Sequence, residues 1–106
     1  KCVTCHDGKR EGVPALTGEP DGWSCKSFNV LIRHVPYSSW NQQPNNNNEP
    51  LTRPLTFGAL PSKLLKRLES GHGDVKLTDE EWQRFYIWMD SNGACWGTFD
   101  AAKQRE

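Results

Sequence analysis

Long apolar runs are missing from this chain of 106 residues, and nothing approaches the ~20 consecutive apolar residues that a helix needs to cross a bilayer. Charge of one sign is missing too: 13 Lys and Arg meet 13 Asp and Glu, so there is no basic excess of the kind nucleic acid selects. Methionine occurs once. No second C-x-x-C follows the one at the start, no H-x-x-x-H appears, and no βαβ alternation is visible, which argues against zinc fingers, zinc ribbons and thioredoxin-like pairs. Hydrophobic residues make up only 35% of the chain, too few for a robust core in one domain of this length. Five Trp, four Phe and two Tyr offset part of that shortage because each aromatic buries a large area.

Against these scarcities stands one dense string, Cys2-Val3-Thr4-Cys5-His6. C-x-x-C-H is the attachment signature of c-type haem: two thiols three positions apart on a nascent helical turn each form a thioether to a haem vinyl group, and the adjoining imidazole faces the iron. One covalent haem c is therefore the expected cofactor, with Cys2 and Cys5 as its tethers and His6 as the proximal iron ligand. Zinc held by Cys2, Cys5, His6 and Cys25 is the competing reading, weakened because adjacent Cys5 and His6 reach one tetrahedral ion with difficulty. A porphyrin would supply the apolar mass the side chains lack, and without it the chain is expected to be partly unfolded. Its propionates would make the neutral domain slightly acidic.

With two cysteines committed to haem, Cys25 and Cys95 remain as a pair. Bacterial c-haem attachment takes place outside the cytoplasm, where disulfides persist, so a Cys25–Cys95 bridge and a periplasmic or secreted location are expected. The bridge would close a loop of about 70 residues and add roughly 4 kcal/mol in the chain-entropy account. Because the motif begins at the second residue, the chain is expected to be a module of a larger multidomain secreted protein.

Local patterns predict a single all-α domain with short helices and long loops. The motif is placed on a helix over 1–10, punctuated by Gly12-Val13-Pro14. Ser27 is a predicted N-cap for a short helix with Phe28, Leu31, Ile32 and Val35 at helical spacing, stopped by Pro36. The stretch 36–54, with four asparagines between Pro44 and Pro50, reads as a long surface loop. A helix over 60–70 follows, with Ser62 near its start, Leu64, Leu65 and Leu68 on one face and Gly71 as its stop. The last helix opens at Thr78, where Thr78-x-x-Glu81 is a capping box. Its apolar stripe is Trp82, Phe85, Tyr86 and Met89, widened by Ile87 and Trp88, and Asn92-Gly93 ends it.

The strings Gly71-His72-Gly73-Asp74-Val75-Lys76-Leu77-Thr78, Glu81-Trp82, Trp88-Met89-Asp90-Ser91-Asn92 and Trp96-Gly97-Thr98-Phe99 give the chain a family likeness. It resembles the cytochrome c-like domains of multidomain secreted bacterial proteins, including the haem-bearing middle domain of the hydrazine synthase alpha subunit. The resemblance spans nearly the whole chain, from Cys2 to Asp100. It implies a class I-like cytochrome fold whose haem packs against a C-terminal helix. In the hydrazine synthase domain a tyrosine four residues after the motif histidine ligates iron. Here that position is Arg10, which favours ordinary ligation by His6.

The sixth iron position is open to several residues. Met89, the only methionine, lies inside the last helix's stripe and is expected to be core. His72, flanked by two glycines that let it approach a porphyrin, is a candidate ligand and otherwise an ordinary loop histidine. His34 suits the C-terminal end of its helix, and Lys76 ligates only if deprotonated. Arg53 cannot ligate, but over an open face it could stabilise charge on bound peroxide as a distal catalytic residue; its plain alternative is a propionate or surface ion pair. Two functions follow. The first is electron transfer with a secreted or periplasmic redox partner, a copper mono-oxygenase being one candidate. The second is a five-coordinate haem that binds small ligands or acts as a peroxidase. A third, weaker reading makes exposed Trp23 or Trp40 an interaction surface. The domain is expected to be monomeric.

Overall fold

The computed structural model describes residues 1–37 and 53–95. Trp40, the asparagine run, most of the 36–54 stretch and the closing 96–99 string lie outside the described residues. In chain order come a 3-10 turn at Cys2–Thr4, strands β1 (Pro20–Asp21) and β2 (Ser24–Cys25), and helix α1 (Lys26–Leu31), which runs into a second 3-10 turn at Ile32–His34. Helices α2 (Lys63–Glu69) and α3 (Asp79–Asp90) complete the set. None of the described helices is long and apolar enough to cross a membrane.

The helix expected over 1–10 shrinks to one turn, and the hydrogen bonds say why. The carbonyl of His6 accepts from Leu16 N–H at 2.8 Å rather than from a residue one turn on. Asp7 Oδ1 takes the N–H of Lys9 at 2.9 Å, an Asx-type turn, and Gly8 follows the motif at φ +84°. The chain therefore leaves the motif and returns to it at residue 16.

A two-residue antiparallel ladder, Pro20 opposite Cys25 and Asp21 opposite Ser24, departs from the all-helical expectation. It is tied to α1 through Asn29, whose Nδ2 donates to the Asp21 carboxylate at 2.8 Å while Ser24 Oγ donates to Asn29 Oδ1 at 2.6 Å. The ladder also relocates the start of α1. Cys25, not Ser27, is its N-cap, without a side-chain capping bond. Lys26 N–H goes to Glu19 O and Ser27 N–H to Thr17 O, each at 3.0 Å, so neighbouring loop carbonyls serve donors that a capping hydroxyl would otherwise take.

The other two helices start where side chains dictate. Ser62 Oγ accepts from Leu65 N–H at 2.9 Å, which caps α2. Thr78 and Glu81 close both arms of the capping box, at 3.3 Å and 2.8 Å, with Asp79, Glu80 and Glu81 at the positive end of the dipole. Lys1 Nζ also donates to Glu81, and with the Thr78 backbone it holds that carboxyl below the ordinary glutamate range.

Val35, Ala59, Leu64, Leu65 and Met89 form the buried apolar core, with Leu31, Leu68, Trp82, Phe85 and Trp88 packed against it. Met89 is fully buried, and its sulfur accepts from Ser62 Oγ at 3.2 Å, which locks α3 onto the cap of α2. The α3 stripe is narrower than its sequence suggests: Ile87 is 67% exposed, and Tyr86 lies at the border, stacked on Trp82 at 5.8 Å. Across from α3, Phe28 of α1 meets Trp88 edge-on at 6.4 Å. Trp23 is 69% exposed and touches Phe28.

Candidate haem-binding site

His6 is the best-restrained side chain at the motif. Its N–H donates to Cys2 O at 3.0 Å, closing the turn, and its Nδ1 lies 2.7 Å from Pro14 O. A carbonyl only accepts, so Nδ1 carries the proton and Nε2 presents its lone pair. That is the tautomer a metal-bound imidazole adopts, with the distal ring nitrogen oriented by a backbone oxygen.

His72 follows α2 in the short loop before α3. It stands between Gly71 at φ +89° and Gly73 at φ +59°, a left-handed backbone that residues with a Cβ rarely adopt. The double reversal turns its half-buried imidazole back toward the motif. The two Nε2 atoms face each other at 3.5 Å, with ring centroids 5.8 Å apart and planes inclined by 30°. Residues 66 positions apart are brought to one point.

Both imidazoles open into a cavity of about 420 Å³, a size within the ordinary range for cofactor sites of roughly 300–1,000 Å³. Leu16, Val30, Leu31, Leu64, Leu68 and Phe85 form its apolar walls, and the free thiols of Cys2 and Cys5 lie on its lining. Two thiols and two imidazoles are the donor types that would hold a haem c. Bonds from imidazole to a first-row metal run about 2.0–2.1 Å, so two opposed ligands need about 4 Å between nitrogens, roughly half an ångström more than they have. Among the described residues no three His, Cys, Asp or Glu side chains converge as a cluster able to hold an ion.

The remaining candidates fall elsewhere. His34 is exposed at the end of its 3-10 turn and contributes to the lining. Lys76 and Arg53 are exposed and do not line the cavity; the carbonyl of Lys76 accepts from Lys1 Nζ at 2.8 Å, and that of Arg53 from Thr56 Oγ1 at 2.7 Å. Met89 faces Ser62 rather than the cavity. Arg10 is exposed. Cys25 and Cys95 are thiols in the structure; burial raises the Cys95 pKa, and charge on Cys25 raises it further.

Two contributors escaped sequence reasoning. The Pro14 carbonyl carries no side-chain signal at all. Arg67 also lines the cavity, and its spacing between Leu64 and Leu68 at i, i+3 and i+4 on α2 was the available clue. Compared with protein-family models, curated proteins and solved structures, the chain gives no match.

Proposed function

We propose that this chain is a c-type cytochrome module that passes single electrons to and from a periplasmic or secreted redox partner. Cys2 and Cys5 would hold the haem covalently, and the His6 and His72 imidazoles would supply its nitrogen ligands. The observation that carries the reading is the 3.5 Å approach of the two Nε2 atoms inside an apolar cavity. Held by those residues, a haem would supply one-electron redox chemistry. His6 keeps its orientation through Pro14, and the apolar walls exclude water from the ligand's faces. The peroxidase alternative places Arg53 over an open face, and Arg53 does not line this cavity.

Optical and paramagnetic resonance spectra of the matured ferric protein test the proposal. A Soret band with a low-spin signal that ignores cyanide and azide is expected. A high-spin signal that shifts with either anion would transfer the assignment to ligand binding or peroxide chemistry.

The compartment that haem attachment requires also favours a Cys25–Cys95 bridge. Cys25 caps α1, and Cys95 follows Gly93, whose backbone abuts Ile32 just beyond the same helix. The bond would join the cavity wall to the end of α3. Thiol titration of protein matured outside the cytoplasm should find neither cysteine free, and reduction should lower unfolding stability by about 4 kcal/mol. Two titratable thiols with unchanged stability would refute the bridge.

A further inference from the structure

The cavity is apolar on its walls and charged on its rim, and the rim charges are unevenly employed. Lys1, Arg67 and Asp74 are its charged lining residues, with His34 beside them. Lys1 is committed, its Nζ donating to Glu81 at 2.5 Å and to Lys76 O at 2.8 Å. Arg67 is not: ion pairs between described residues join Lys1, Lys26 and Arg84 to glutamates, and no acceptor among the described residues takes the Arg67 guanidinium. Its place on α2 puts the aliphatic stem along the same wall as Leu64 and Leu68 while its head reaches solvent. An apolar slot with an unengaged guanidinium at its edge matches a ligand that is flat and apolar in its body and acidic at one margin.

We infer that Arg67 is the positioning residue for a carboxylate of the cavity's ligand, which under the haem reading above is a propionate. A guanidinium grips a carboxylate through two parallel N–H bonds and stays charged at any physiological pH. Asp74, the carboxylate in the lining, repels an acid and leaves the Arg67 side as the favourable margin. The positive charge also disfavours the ferric state relative to the ferrous one, so Arg67 holds the reduction potential up.

The test compares Arg67→Gln, Arg67→Lys and Arg84→Gln in purified holoprotein. Arg84 is the control cation, paired with Glu80 on α3 and outside this cavity. Redox titration should show R67Q lowering the midpoint potential more than R84Q does. Resonance Raman spectra should show a displaced propionate bending band in R67Q. R67K should recover most of the potential while the band stays displaced, because lysine restores charge but not the fork. Potential and band both matching R84Q would overturn the inference. If R67Q does not accumulate, R67K decides by its band: displaced supports the inference, wild-type position overturns it. Wild-type protein without covalent haem defeats the proposed function and this inference together, whereas haem-loaded protein indifferent to residue 67 defeats only the latter.

Discussion

Replacing His72 with alanine is expected to convert an inert low-spin ferric centre into a high-spin one that binds cyanide, azide or peroxide. The argument is competition at one coordination site. His72 lies opposite His6 on the short loop between α2 and α3, so its imidazole is tethered at high effective concentration. If it occupies the site for all but about 1% of the time, an external ligand is penalised about 100-fold, and removing the side chain restores that factor. Azide titrations of wild type and H72A, followed in the Soret region, measure it directly. Methionine at the same position should keep the low-spin state and raise the reduction potential, since thioether ligation in place of imidazole has that effect. Equal azide affinity in wild type and H72A would remove His72 from the iron. The same titration on H34A should leave affinity unchanged, because His34 is exposed and the hydrogen-bond and ring contacts of the His6 ring go to Pro14 and His72.

The second large effect concerns the tethers. Protein carrying both Cys2→Ala and Cys5→Ala should lack the haem mass increment after denaturation, whereas either single variant should retain it through one thioether. Loss of folding should accompany loss of the tethers. Five apolar side chains are buried among the described residues, and the walls contributed by Leu16, Val30 and Leu31 enclose a space rather than one another. A core this small rarely supplies more than about 3–5 kcal/mol on its own. The double variant, produced without added haem, should therefore show depressed far-UV helicity and a broad, weakly cooperative thermal transition beside the sharp transition of the holoprotein. A haem-free double variant that unfolds as sharply as the holoprotein would show that the polypeptide core is self-sufficient.

Where a structural decision is local, the sequence discloses it. Thr78 and Glu81 form their reciprocal cap because both partners lie within one turn, and Ser62 caps α2 on the same terms. Ser27 offered an identical local signal and was not used. Glu19 and Thr17 reached the α1 donors first, a competition settled by the ladder between residues 20 and 25. The motif helix fails likewise, since its continuation depends on the His6 carbonyl, which Leu16 captures. The α3 stripe was legible in period but not in width: Ile87 has a hydrophobic side chain with no neighbour layer to receive it. At the site, Cys2, Cys5 and His6 are contiguous and announce themselves, whereas the pairing of His6 with His72 spans 66 positions and no spacing rule reaches that far. The two glycines gave His72 its freedom; only the packing of α2 and α3 gave it a direction.

The acceptor that steers the His6 ring belongs to the main chain at residue 14, not to a side chain. Mutation can exchange the residue there without deleting that oxygen, so this piece of the wiring is insulated from ordinary drift. What evolution or engineering must conserve is the path of the segment from residue 6 to residue 16, and lengthening or shortening it by one residue should disturb the orientation of the His6 ring more than any point substitution within it.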